Sequence, residues 1–204
     1  MLEQGDRMST DTIVHHHDQS ADTKCVFGFW MYIMTDCVLF SCLFATFVVL
    51  RHNTFGGPTL KELISIPYIL YETLFLLFSN LTFGFAILSL YKGVKKWVQF
   101  WLLVTFILGG CFVALEVNEF VHLIHDGHGP AASGAMSGFF TLVATHGFHV
   151  SMGLLWIAVM FFQLFSGKIT STMRRRLTYL GMFWNFLDIV WIFVFTIVYL
   201  MGAI

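Results

Sequence analysis

Five long apolar segments limit the folds open to this sequence more than any other feature. They lie at about residues 27–50, 66–91, 97–123, 136–165 and 177–201. A helix needs about 20 apolar residues to cross the hydrocarbon layer of a bilayer, and each segment is long enough. Only 11% of the 204 residues are charged, and 24 are phenylalanine. We therefore predict an all-α polytopic membrane protein with five transmembrane helices.

The first 26 residues differ in composition from the rest of the chain. They carry five carboxylates and the run His15-His16-His17, and they show no apolar period. We predict a flexible polar tail over residues 1–26 and a five-helix transmembrane bundle over residues 27–204. The first apolar segment begins too late and runs too long for a signal peptide, so we expect it in the mature protein. Proton buffering by the tail histidines is a second interpretation of this tail.

The basic residues are distributed unevenly among the predicted loops. Nine precede the first segment or lie in the second and fourth connections: Arg7, Lys24, Lys92, Lys95, Lys96, Lys168, Arg174, Arg175 and Arg176. The other two, Arg51 and Lys61, lie in the first connection. Because short cytoplasmic loops carry an excess of Lys and Arg, we predict a cytoplasmic N-terminus and a periplasmic C-terminus. No basic cluster is interleaved with aromatic residues, so nucleic acid is not an expected partner.

The four cysteines form no CxxC pair. They are Cys25, Cys37, Cys42 and Cys111, and all lie in or at the edges of apolar segments. We interpret them as small apolar core residues. The two thiolates of a dinuclear copper site are missing from this pattern.

Several polar residues lie inside the apolar segments, where a charged side chain costs a few kcal/mol. They are Asp36, Glu72, Glu116, Glu119, His146, His149, Asn185 and Asp188. Such residues face the interior of a helix bundle or a transport pathway rather than lipid. We interpret them either as a buried polar network or as candidates for proton- or lipid-related roles, and we expect no catalytic, cofactor-binding or metal-binding residue in this chain.

His146 and His149 share one face of the fourth helix, because residues three apart lie about 60° apart around a helix. The third helix runs outward and the fourth inward, so Glu119 and His146 reach the outer half of the membrane together. We predict that a neutral His146 donates a hydrogen bond to Glu119.

Three other functions remain open on the residues alone. Glu119 and His122, beside Glu116, His146 and His149, have the residue types of a di-iron carboxylate enzyme, but the second Glu-x-x-His helix is missing. Haem binding needs axial histidines well separated on facing helices, which this chain lacks. A proton-coupled membrane carrier would use the buried carboxylates, although no internal repeat supports a transporter.

Three sequence motifs carry a resemblance to a known family. Residues 28–40 (GFWMYIMTDCVLF), 145–150 (THGFHV) and 183–191 (FWNFLDIVW) resemble the signature regions of subunit III of haem-copper terminal oxidases, in the same order and on the expected helices. The five-helix form, with residues 56–59 (GGPT) and 199–202 (YLMG), is most similar to the bacterial branch that oxidises ubiquinol, the cytochrome bo type.

This resemblance implies an accessory subunit of a respiratory complex in the bacterial inner membrane. The complex would oxidise ubiquinol, reduce oxygen to water and pump protons. Its haem and copper would belong to subunit I, against which this chain would pack, and the chain would meet ubiquinol only through the complex. The resemblance also implies bound phospholipid and contacts with the other oxidase subunits.

The resemblance carries over to individual residues. Asp36 stands where much of the family has a buried glutamate, and Glu119 stands where the third helix carries one. His146, His149 and Asp188 match the family pattern directly. Asn185 departs from it, because the family usually has histidine there. An amide at this position still forms hydrogen bonds but does not titrate.

Overall fold

A computed structural model describes residues 2–54, 66–167 and 170–200 of the chain. Side chains are described for residues 24–54, 67–165, 167 and 170–199. The chain divides into two compact units, Met1–Leu39 and Phe40–Ile204, and each is described separately.

The described residues form five α-helices: α1 (Leu2–Leu50), α2 (Ile66–Tyr91), α3 (Lys95–His125), α4 (Gly134–Ser166) and α5 (Ser171–Val194). The chain then continues as a π-helix over Phe195–Leu200. Five segments of these helices are long and apolar enough to cross a membrane: Lys24–Leu50, Pro67–Tyr91, Lys95–His125, Gly134–Phe165 and Ser171–Tyr199. The prediction of five spanning segments in an all-helical protein is confirmed.

Helix α1 begins much earlier than its apolar part. The predicted span starts near Phe27, whereas the helix starts at Leu2, so the span occupies only its second half. The side chains of residues 2–23 lie outside the described part of the structure. The predicted flexible tail over residues 1–26 therefore stays a prediction, as does buffering by its histidines.

Local sequence signals set the boundaries of the helices in the larger unit. The turn between α2 and α3 places Gly93 at a φ of 74°, in the left-handed region that favours glycine. Helix α3 ends before Gly127, which has a φ of 81°. Ser133 caps α4, where its hydroxyl accepts a hydrogen bond of 3.1 Å from the amide of Met136.

Within the larger unit, α3 lies antiparallel to both α2 and α4. The start of α2 meets the end of α3, where the Tyr68 hydroxyl donates to the carbonyl of Leu115 at 3.0 Å. At the opposite end of α3, the Lys95 ammonium donates to the carbonyl of Gly167 at 2.7 Å. Helix α5 packs against both α2 and α4. Side chains near the end of α2, the start of α3 and the end of α4 therefore share one level of the larger unit.

Trp184 of α5 lies between two glycines of neighbouring helices. It is 1% exposed. A Cβ added at Gly109 of α3 would lie 3.1 Å from its indole ring, and one added at Gly153 of α4 would lie 2.9 Å from it. Small residues at such contacts let transmembrane helices approach closely, and here they make room for the largest side chain.

The structure corrects the prediction for the cysteines. Cys25, Cys37, Cys42 and Cys111 are all exposed rather than packed in the core. The exposed faces of these helices are themselves apolar, so a thiol can lie there as easily as in the interior.

Candidate functional site

A buried glutamate, Glu116, and a half-buried one, Glu119, lie about one helical turn apart near the end of α3. Phe112 and Glu116 are buried on one face of this helix, and Glu119 follows three residues later on an adjacent part of that face. Glu116 is 2% exposed, and its carboxylate presses against α4 at Gly147. Both Glu116 oxygens would lie 2.5 Å from a Cβ at Gly147, so only glycine leaves room for this carboxylate.

Glu72 of α2 joins these glutamates at the same level. It lies near the start of α2, and because α2 and α3 are antiparallel it meets the end of α3. Glu72 is 0% exposed, and Tyr68, one turn earlier on α2, bonds to Leu115, the residue that precedes Glu116. Three carboxyl groups from two helices are thus brought together within the apolar part of the bundle.

Tyr199 completes this group from the π-helix. Its hydroxyl donates a hydrogen bond of 3.3 Å to Oε2 of Glu119, and its ring lies edge-on to Phe139 at 5.7 Å between centroids. We name Glu72, Glu116, Glu119 and Tyr199 the carboxyl cluster. Sequence reasoning missed Tyr199 as a site residue. The available signal was a tyrosine hydroxyl in a mostly apolar segment that contains one other hydroxyl, that of Thr196.

His146 lies beside this cluster but does not form the predicted hydrogen bond to Glu119. Its ring is 0% exposed and lies 5.1 Å from the Trp191 ring, with Phe112 edge-on at 6.0 Å. Neither ring nitrogen has a hydrogen-bond partner among the described residues. The prediction was wrong because Glu116, one turn earlier on α3, is the glutamate that reaches this part of α4.

A second polar contact links α2 to α5. Asp188, which the sequence singled out, accepts a hydrogen bond of 3.1 Å from the Asn80 amide through Oδ2. The Trp191 indole donates to the hydroxyl of Thr73 at 3.1 Å. Sequence reasoning missed Asn80 and Thr73, because a single amide or hydroxyl in an apolar helix gives no sign of its partner.

Two of the remaining predicted residues, His149 and Asn185, lie outside the carboxyl cluster in the larger unit. Asp36 is buried in the smaller unit. The Nδ1 atom of His149 donates to the carbonyl of Thr145 at 2.7 Å. Asn185 is exposed, so it is not part of a buried network; Trp184, Leu187 and Asp188 occupy the buried face of α5. This exposure corrects its assignment among the buried polar candidates.

The geometry does not assemble the ligands of a di-iron site. The His122 ring bonds to Asp126 at 2.8 Å on an exposed surface, so it points away from the buried glutamates. Within the described ranges, no group of three or more His, Cys, Asp or Glu side chains is placed to hold a metal ion. The carboxyl cluster can accept hydrogen bonds and bind protons through its oxygens.

Comparison with known proteins identifies clear relatives. The family model described as cytochrome c oxidase subunit III matches residues 3–203. The chain is 53% identical over 192 residues to cytochrome bo(3) ubiquinol oxidase subunit 3 of Pseudomonas aeruginosa, covering 93% of this chain and 92% of that protein. It is 51% identical over 188 residues to the protein of the same name from Pseudomonas putida, covering 92% and 90%. It is 42% identical over 177 residues to quinol oxidase subunit 3 of Bacillus subtilis, covering 87% of each chain.

Proposed function

Because this chain belongs to the cytochrome c oxidase subunit III family, we propose that it is the third subunit of a bacterial respiratory oxidase that takes electrons from ubiquinol. This proposal rests on the similarity, over nearly the whole chain, to relatives named as ubiquinol oxidase subunits. The complex would reduce oxygen to water and pump protons across the inner membrane. This chain would bind no haem or copper, because subunit I would hold them.

The proposed role of the chain is to support the assembly and stability of subunit I. Its helices present wide apolar faces; Phe27 and Trp30 of α1 are 66% and 52% exposed, and Phe162 and Phe165 of α4 are 70% and 72% exposed. Such faces suit contact with the helices of a partner or with lipid tails, because van der Waals packing drives helix association in a bilayer.

Phospholipid binding is a further part of this proposal. An apolar groove of about 180 Å³ runs between α3 and α4, with Leu102, Phe106, Ile157, Phe161 and Phe162 among its lining residues. Its lining and position on the membrane-facing surface suit an acyl chain.

We propose a cytoplasmic N-terminus and a periplasmic C-terminus on the distribution of basic residues. A reporter enzyme that is active only outside the cytoplasm should therefore be active when fused after Ile204 and inactive when fused near Lys95. A cytoplasmic reporter at the same two positions should give the opposite result and controls for expression. Reversed activity of both reporters would contradict the orientation and move the His15–His17 tail to the outer side.

Copurification tests the proposed function directly. A tagged chain extracted in mild detergent should bring with it a larger membrane protein whose absorption spectrum contains haem. The alternative of a proton-coupled carrier is favoured by the buried carboxyl groups of Glu72 and Glu116 and by the half-buried Glu119. If the chain instead runs alone or as a homodimer and transports a solute in vesicles, the carrier hypothesis is correct. One or two iron atoms for each isolated chain would support the di-iron alternative instead.

A further inference from the structure

The carboxyl cluster contains many more hydrogen-bond acceptors than donors. An ionised carboxylate only accepts, whereas a protonated carboxyl group also supplies one O–H donor. The Tyr199 hydroxyl donates to Glu119. Both oxygens of Glu72 and both oxygens of Glu116 lack a hydrogen-bond partner among the residues whose side chains are described. Three ionised carboxylates side by side cannot satisfy one another, so the cluster requires donors that it binds.

Two basic side chains of the described residues bond away from these glutamates. Lys95 donates to the carbonyls of Phe165 and Gly167, and Arg51 donates to the His52 ring. The groups that face the cluster are Tyr199 from the π-helix and His146 from α4. Like charges at close range repel strongly in the apolar interior, so full ionisation of all three glutamates is unfavourable.

Two residues of α4 provide independent evidence that this cluster is a binding site. Gly147 leaves the space into which the Glu116 carboxylate fits, because both oxygens lie 2.5 Å from where a Cβ would stand. The next residue back, His146, is completely buried, and neither of its ring nitrogens has a partner among the described side chains. A buried polar side chain without a partner is rare in proteins and points to a ligand such as a proton or ordered water.

We propose that Glu72, Glu116 and Glu119, with Tyr199, form a single internal site between α2 and α3 that binds protons and ordered water. Bound protons turn carboxyl oxygens into donors, so that one glutamate bonds to the next. Water molecules bridge the remaining oxygens and reach the unpartnered ring nitrogens of His146. The ligand is the proton rather than a metal ion, because these side chains are not placed to hold a metal. This site goes beyond the proposed role in assembly and does not depend on it.

Infrared spectroscopy of whatever complex the tagged chain forms tests this site. The C=O stretching band of a protonated carboxyl group shifts when the sample is transferred from H₂O to D₂O. The variants Glu72→Gln, Glu116→Gln and Glu119→Gln are compared with the unmodified protein, and Asp126→Asn serves as a control because this carboxylate lies on the exposed surface.

We expect each glutamine variant to lose intensity in the deuterium-sensitive band and to shift the part that remains. The double variant Glu72→Gln/Glu116→Gln should differ from the sum of the two single changes, because the glutamates share protons. The control should leave the band unchanged. The proposal would be overturned if the band were unchanged in all three single variants. It would also be overturned if the loss in the double variant equalled the sum of the two single losses. Removal of the band by sodium or potassium at constant pH would also overturn it, by showing a metal-cation site.

A second perturbation covers the case in which a glutamine variant does not assemble. Gly147→Ala leaves all three glutamates in the chain but displaces the Glu116 carboxylate, so it should shift the same band. Gly110→Ala is the matched control, because a Cβ there meets nothing within 4 Å. Equal spectra for the two alanine variants would contradict the site. These spectra do not require oxidase activity. A negative result would therefore contradict the proton-binding site without contradicting the proposed function.

Discussion

Replacing Trp184 with alanine should lower the free energy of unfolding by about 3 kcal/mol, the lower end of the range for truncating a buried aromatic residue. The indole ring is 1% exposed and fills the space beside Gly109 and Gly153. Truncation would remove its contacts with α3 and α4 and leave a cavity. The lower end applies because transfer of an apolar group between lipid and protein contributes little, which leaves the lost dispersion contacts.

Denaturation of the tagged chain in increasing sodium dodecyl sulfate, followed by helical circular dichroism, measures this effect. Trp184→Phe is the matched variant. It keeps most of the ring volume and removes an indole N–H that has no hydrogen-bond partner among the described residues, so its loss should be clearly smaller. Equal midpoints for the alanine variant and the unmodified chain would show that Trp184 does not hold α3, α4 and α5 together.

Adding a methyl group at Gly153 should destabilise the same contact from the opposite side, by about 1 to 3 kcal/mol. The Cβ of Gly153→Ala would lie 2.9 Å and 3.1 Å from two atoms of the Trp184 ring and 3.3 Å from Phe183. A rigid indole held between two helices cannot rotate away, so α4 must shift from α5. The denaturation experiment used for Trp184 measures the loss.

Gly110→Ala is the matched control for this substitution and should change stability in the opposite direction. Gly110 also lies within a helix, but a Cβ at this position meets nothing within 4 Å. Alanine should then stabilise α3 by about 0.4 to 1 kcal/mol, because it reduces the freedom of the unfolded chain. A gain of stability in both variants would mean that the helix preference of alanine, rather than the close approach to Trp184, determines the result.

The spanning segments could be predicted because hydrophobic length is a local property. A helix satisfies its own backbone hydrogen bonds, and about 20 consecutive apolar residues are enough to cross the membrane. Glu72, Glu116 and His146 could also be recognised as buried, since polar residues in such segments avoid lipid. The extension of α1 to Leu2 was not predicted, because no apolar period marks residues 2–26.

The partners of these polar residues were not predictable to the same degree. Spacing along one helix indicated that Glu119 and His146 lie at similar depth, but it could not determine how α3 is rotated against α4. That rotation packs the Glu116 carboxylate against Gly147, 31 positions away, and lets Glu119 accept a hydrogen bond from Tyr199, 80 positions away. Asn185 illustrates the same limit, because the rotation of α5 turns it outward and Asp188 toward Asn80.

The sequence by itself determined which segments cross the membrane, which polar residues are costly to bury, and through three motifs which family the chain resembles. Only the tertiary structure decided that three glutamates meet with one tyrosine, that His146 lies beside them without a hydrogen-bond partner among the described residues, and that Trp184 separates two glycines. The physical reason is that hydrophobicity acts residue by residue along the chain. A hydrogen bond or a close packing contact instead depends on the position and rotation of two helices at once.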